Sequence, residues 1–110
     1  MTLNKFNEIF DKQVEQCRKV LSAKGDEYVF NGDRLEHFKK SAAEQEIRPK
    51  QALWGMASKH LTSLGSMCKA ENEFHNKIWN EKITDTMNYM LLLWALVLEE
   101  TEGGDSFDKH

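Results

Sequence analysis

One proline, two cysteines and no long apolar run make up a chain of 110 residues, and each shortage excludes something. With a lone proline and few β-branched stretches, most of the chain is free to be helical. Cys17 and Cys68 sit inside amphipathic patterns without metal-type spacing. They read as buried free thiols of a reducing cytosol rather than as a disulfide. The longest apolar stretch, "MLLLWALVL", falls far short of the roughly 20 residues of a spanning helix. The opening "MTLNKFNEIF" lacks a basic region followed by an apolar one, so no secretory signal is expected. These absences predict a cytoplasmic protein without a membrane partner. Nor is there a strong charge of one sign. The formal net charge is -3, with 30% charged and 40% hydrophobic residues, an ordinary globular balance. That gives little basis for gripping extended nucleic acid, but leaves room for a small basic pocket that takes a phosphorylated small molecule. Phosphate-binding glycine loops, CxxC pairs, HExxH and serine nucleophile elbows are all missing.

What is present is helical spacing. Leu3, Phe6, Phe10, Val14, Cys17 and Leu21 recur at steps of three and four, which predicts one buried face on a helix from Leu3 to about Ala23. Glu8, Asp11 and Glu15 fall opposite that stripe and read as a solvated face. Gly25, Asn31 and Gly32 in "AKGDEYVFNGDR" punctuate the end. A short helix is expected to open at Asp33, with Leu35, Phe38 and Ala42 inward, and to close before Pro49. Pro49 suits the first turn of a third helix, striped by Leu53, Ala57, His60, Leu61, Leu64 and Cys68. A fourth begins between Phe74 and Glu81 and runs to about Glu100. Its second half, Met90 to Leu98, is apolar almost all round, which demands cover on several sides. The expectation is an all-α, four-helix bundle-like single domain over residues 1–100, completed by homo-oligomerisation, with a flexible tail at 101–110.

Three places could carry chemistry. In "NEKITDTMNYMLLLWALVLEE", Glu81, Asp85, Asn88 and Tyr89 share a quadrant with Leu92 and Leu96, so carboxylates point where a core should be. Carboxylates one helical turn apart can share a hard cation, so Glu81 and Asp85 are candidate metal ligands, with Glu27 a third. A salt bridge from this wall to Lys59, Lys77 or Arg34 explains the same pattern. His60 lies on the apolar face of the third helix beside Lys59, either as a core histidine or at the rim of the Asp85 region. Finally, "KGDEYVFNGDR" gathers Lys24, Asp26, Glu27, Tyr28 and Arg34, and either folds over the bundle end or stacks Tyr28 on a planar ligand.

The series "KGDEY", "GDRLEHFKKSA", "QALWGMASKHLTSL" and "NEKITDTMNYMLLLWALV" resembles a group of small phage-encoded helical proteins. Their pattern runs K-x-x-[DE]-Y, D-R-x-x-N-F, a Lys-His helix, and E-K-I-x-D-x-x-N-Y-L-L-L. The resemblance covers about Lys24 to Glu99, and His37 stands where the group's pattern often has Asn. This group is in turn similar to the MazG-type all-α nucleotide pyrophosphohydrolases and to nucleotide-modification-associated domains. The resemblance implies magnesium-dependent cleavage of a nucleoside triphosphate, with carboxylates on paired helices holding the metal and subunits pairing to complete the sites. It also implies the cytoplasm of an infected bacterial host. Glu81 and Asp85 match the superfamily's last acidic pair in kind, spaced E-x-x-x-D here against E-x-x-D there. The superfamily's E-E-x-x-E cluster has no counterpart in "ALWGMASKHLTSL".

The leading expectation is a bundle that binds a nucleotide or related phosphorylated molecule, with hydrolysis as its catalytic form. Glu81, Asp85 and Glu27 would hold Mg2+, Lys24, Arg34, Lys59 and His60 would meet phosphates, and Tyr28, Asn88 and Tyr89 would complete the nucleotide site. Two alternatives stand beside it. One is a non-catalytic protein that sequesters a nucleotide signal or a host factor in counter-defence, which the missing glutamate cluster favours. The other is a structural oligomerisation module in which the acids pair with lysines.

Overall fold

The computed structural model describes the backbone of residues 1–28 and 32–103 and the side chains of residues 1–24 and 32–102. The described residues form four α-helices: α1 (Leu3–Tyr28), α2 (Glu36–Gln45), α3 (Pro49–Lys69) and α4 (Asn76–Gly103). None of them is long and apolar enough to cross a membrane. The all-α expectation holds.

Three boundaries differ from the sequence reading, each for a local reason. Gly25 does not end α1, which runs on to Tyr28. One glycine costs a helix about 1 kcal/mol, and the Lys24 ion pair with Asp85 on α4 anchors the turn just before it. At the start of α2, Asp33 is not the cap. It forms a turn ahead of the helix, its Oδ1 accepting from the Leu35 amide at 2.9 Å and its carbonyl from the Glu36 amide at 3.2 Å. Gly32, immediately before this turn, takes a positive φ of 78°, which glycine adopts without a Cβ clash. The fourth helix continues past Glu100, so Thr101 belongs to α4, with its hydroxyl donating to the Val97 carbonyl at 2.9 Å. Of the expected tail, residues 104–110 lie outside the described residues.

Other ends follow the pattern. Glu46 closes α2 in the left-handed region, letting the Ile47 amide reach the Ala42 carbonyl at 2.9 Å. Pro49 opens α3, and the Gln51 side chain accepts from the Arg48 amide at 2.9 Å. His75 Nδ1 accepts from the Lys77 amide at 3.0 Å and caps the start of α4.

The core lies between α2, α3 and α4. Leu35, Phe38, Leu53, Ala57 and Leu96 are buried together, with Met56, Tyr89, Leu92 and Leu93 packed around them. The ammonium of Lys39 braces this arrangement by reaching Asp33 at 2.6 Å and Glu99 at 2.7 Å. Hydrogen bonding to Asp33 and then to Glu99 raises the Lys39 pKa, and the Lys39 bond lowers that of Asp33.

α1 is held differently. It packs along α4 alone among its major contacts, running parallel to it. Gln13 takes the centre of that seam, donating to Thr84 Oγ1 at 2.8 Å and accepting from Asn80 Nδ2 at 2.9 Å. Much of the expected apolar stripe of α1 remains uncovered, Leu3, Phe6 and Phe10 among it, while Cys17 is buried. Cys68 corrects the sequence reading. It is a free thiol but an exposed one, because the inward face of α3 at that turn is taken by Met67.

Candidate functional site

The polar stretch of α4 faces a cleft where the end of α1 and the start of α2 meet it. Asp85, Asn88, Tyr89 and Leu92 recur at helical spacing and form its floor. Leu21 and Lys24, three residues apart, come from the penultimate turn of α1, and Arg34, His37 and Phe38 close the side opposite. The cavity measures about 80 Å³. That is room for a phosphate-sized group, well below the roughly 300 Å³ at which pockets begin to enclose a drug-sized ligand.

Charge in the cleft is unbalanced. Lys24 Nζ stands 3.3 Å from Asp85 Oδ1, so the single carboxylate already answers one cation. Arg34 is half-buried and makes no ion pair among the described residues. A guanidinium remains charged at any ordinary pH and offers a planar fork of donors suited to an oxyanion. His37 adds an imidazole on the same wall, its ring 5.5 Å from that of Phe38. Among the described lining residues the cations Lys24 and Arg34 thus outnumber the one carboxylate, although the chain as a whole is acidic.

Asn88 supplies the opposite polarity at short range. It is 6% exposed, and its Nδ2 donates to the Cys17 carbonyl at 3.3 Å. Because that carbonyl can only accept, the amide orientation is set and Oδ1 is the atom left over. Oδ1 is buried and has no hydrogen-bond partner among the described residues. An orphaned acceptor of this kind costs about 1–3 kcal/mol unless something donates to it.

The structure brings together Lys24, Arg34, Asp85, Asn88 and Tyr89 of the residues singled out from sequence. His60 stands behind the site, its ring 5.1 Å from that of Tyr89, and so supports the floor without lining the cleft. Lys59 is exposed and does not line it. Glu81 is exposed one turn before Asp85, also outside the lining. The side chains of Glu27 and Tyr28 lie outside the described residues. Among the described residues no group of three or more His, Cys, Asp or Glu side chains is arranged to hold a metal.

Sequence reasoning missed His37 as a site residue, although its i, i+3 and i+4 spacing with Arg34 and Phe38 was a usable signal. It also missed Thr84 and Gln13. No periodicity marks a glutamine in an apolar stripe as the partner of a buried threonine 71 residues away.

No family model, curated protein or solved structure matches the chain.

Proposed function

We propose that this protein, acting as a homo-oligomer, binds a nucleotide or nucleotide-derived phosphorylated molecule, with one phosphate seated in the cleft between α1, α2 and α4. The observation that carries the reading is the Arg34 guanidinium, half-buried and without an ion pair among the described residues, on the wall of a phosphate-sized cavity. Arg34 grips the phosphate through its fork, and Lys24 divides its charge between Asp85 and the ligand. Asn88 lines the same cleft, and its Oδ1, without a partner among the described residues, accepts from a ligand hydroxyl or N–H once the side chain shifts towards the cleft. At about 80 Å³ the cleft leaves sugar and base outside, over Tyr89 and the α1 end. The resemblance to phage-encoded helical proteins supports the same ligand class, with the cytoplasm of an infected bacterium as the setting.

Sequestration rather than turnover is favoured by two observations. The chain lacks the glutamate cluster of the pyrophosphohydrolases, and Asp85 is committed to Lys24. A magnesium-dependent hydrolase built on Glu81, Asp85 and Glu27 is the competing form. Calorimetry and thermal shift with nucleoside mono- and triphosphates and cyclic dinucleotides, with magnesium or with EDTA, separate the two. The expected result is binding that survives EDTA and releases no pyrophosphate. Arg34→Ala should weaken that binding about 10-fold or more, the worth of a hydrogen bond to a charged group. Pyrophosphate release that needs magnesium and is lost in Asp85→Asn would establish the hydrolase instead. No binding and no thermal shift with any phosphorylated compound would overturn the whole reading.

A further inference from the structure

The side of the α1–α4 pair away from the core is apolar, grooved and open. Val14 and Leu21 of α1 face Met87 and Leu91 of α4 across a groove of about 640 Å³. Towards the N-terminus the same α1 stripe continues through Phe10 to Leu3, at spacings of four and seven residues, which keep one face. Phe10 is 57% exposed and Leu91 51%. A ring that projects and a groove that receives thus lie on one strip, with the groove about two turns further along the helix. Such a strip is self-complementary under a two-fold axis, because each copy offers the other both a knob and a hole.

The charges at its edge fit the same axis. The sequence reading sets Asp11 opposite the stripe, but at about 100° per residue it lies only about 60° round α1 from Val14, on the same edge of the strip as Arg18. Asp11 makes no ion pair among the described residues, and Arg18 has only an exposed contact of 3.6 Å with Glu15. An antiparallel pairing of two α1 helices about Val14 and Glu15 sets Asp11 against the partner's Arg18, and Arg18 against the partner's Asp11. It also carries Phe10 to the partner's groove. The size is sufficient. From Leu3 to Leu21 the strip is about 27 Å long, and two packed helices are about 20 Å wide, so two copies hide on the order of 1,000 Å². That is near the lower bound for a specific interface, which predicts a dimer that dissociates with dilution.

We infer that a second copy of this chain covers the strip, by antiparallel packing of α1 on α1 beside α4, with Phe10 of each copy in the groove of the other. This deepens the homo-oligomer part of the reading above and does not depend on the ligand.

Sedimentation of the full chain across the micromolar range, without nucleotide, tests it. The expected result is a concentration-dependent shift from a 12.8 kDa monomer to a species of twice that mass. Phe10→Asp and Leu91→Asp should each be monomeric throughout, with helical circular dichroism retained because both side chains are half exposed. Asp11→Arg and Arg18→Asp should each weaken the dimer several-fold by setting like charges together, and combining them should restore it. Arg34→Ala should dimerise normally, so that loss of phosphate binding and loss of pairing are told apart. A wild-type chain that stays monomeric, or a dimer indifferent to Phe10→Asp, would overturn the inference. A double charge swap that fails to recover would overturn the antiparallel register.

Discussion

The two long faces of α4 are built on opposite principles. Towards α2 and α3 it buries Leu96 among Leu35, Phe38, Leu53 and Ala57, and the contact is almost wholly apolar. Towards α1 it presents Asn80, Thr84, Asp85 and Asn88, which meet Gln13, Lys24 and the Cys17 carbonyl. The first face supplies cohesion, since apolar burial is non-directional and scales with area. The second supplies register, because each polar pair is satisfied in one alignment of the helices only. A seam of the second kind also leaves atoms over: among the described residues Asn88 Oδ1 has no hydrogen-bond partner and Arg34 no ion pair, and both residues line the cleft.

Breaking the apolar face should have the largest effect. Leu53 is fully buried, and Leu53→Ala is expected to cost about 2–5 kcal/mol in denaturant unfolding, with loss of the whole core. The α1 seam should answer less, and locally. Gln13→Ala strands the buried Thr84 Oγ1, while the exposed Asn80 turns to water, so a loss of about 1–3 kcal/mol is expected. Hydrogen exchange should rise across α1 while α3 and the second half of α4 keep their protection. Equal acceleration in all four helices would remove the distinction between the faces.

Asn88 sharpens the comparison further. If its buried amide serves recognition more than folding, Asn88→Leu removes an orphaned acceptor and one bond to a carbonyl inside α1. Stability should then change by less than about 1 kcal/mol, while ligand affinity falls several-fold. A loss of several kcal/mol with unchanged binding would make Asn88 a structural residue.

The smallest effect belongs to the surface brace at Lys39. Asp33 has a lowered pKa in the folded chain, chiefly from the Lys39 hydrogen bond and then from the Leu35 amide. Its contribution is therefore present above the unfolded carboxylate value of about 3.9 and is lost as pH falls below it. Lys39, raised by Asp33 and Glu99, contributes fully below the unfolded lysine value of about 10.4 and loses that contribution only as pH rises beyond it. Both acids and the lysine are substantially solvated, so Asp33→Asn is expected to cost no more than about 1 kcal/mol near neutrality. The difference between wild type and variant should shrink in thermal melts as pH falls below the unfolded carboxylate range and through the lowered pKa of folded Asp33.

Much of the site was legible because helical spacing is a geometric consequence of the backbone. Asp85, Asn88, Tyr89 and Leu92 had to share a face of α4 whatever surrounded it, and Lys24 and Arg34 flank a single break between helices. Gly25 and Cys68 were misread for a common reason. A glycine ends a helix, and a stripe residue is buried, only when neighbours elsewhere in the fold agree. Asp85 held the turn before Gly25, and Met67 took the inward place beside Cys68.

By itself, the order of residues determined four amphipathic helices, a proline-led start to α3, and one polar wall on an otherwise apolar α4. Those are local matters, decided by 3.6-residue periodicity, caps and the special backbone of proline. Only the tertiary structure decided that α1 lies along α4 with Gln13 on Thr84, that Lys24 and not Lys59 reaches Asp85, and that Arg34 lines the same cleft with no ion pair among the described residues. Those outcomes depend on which side chains are brought together from distant positions, where desolvation and hydrogen-bond geometry choose among partners that sequence spacing leaves equivalent.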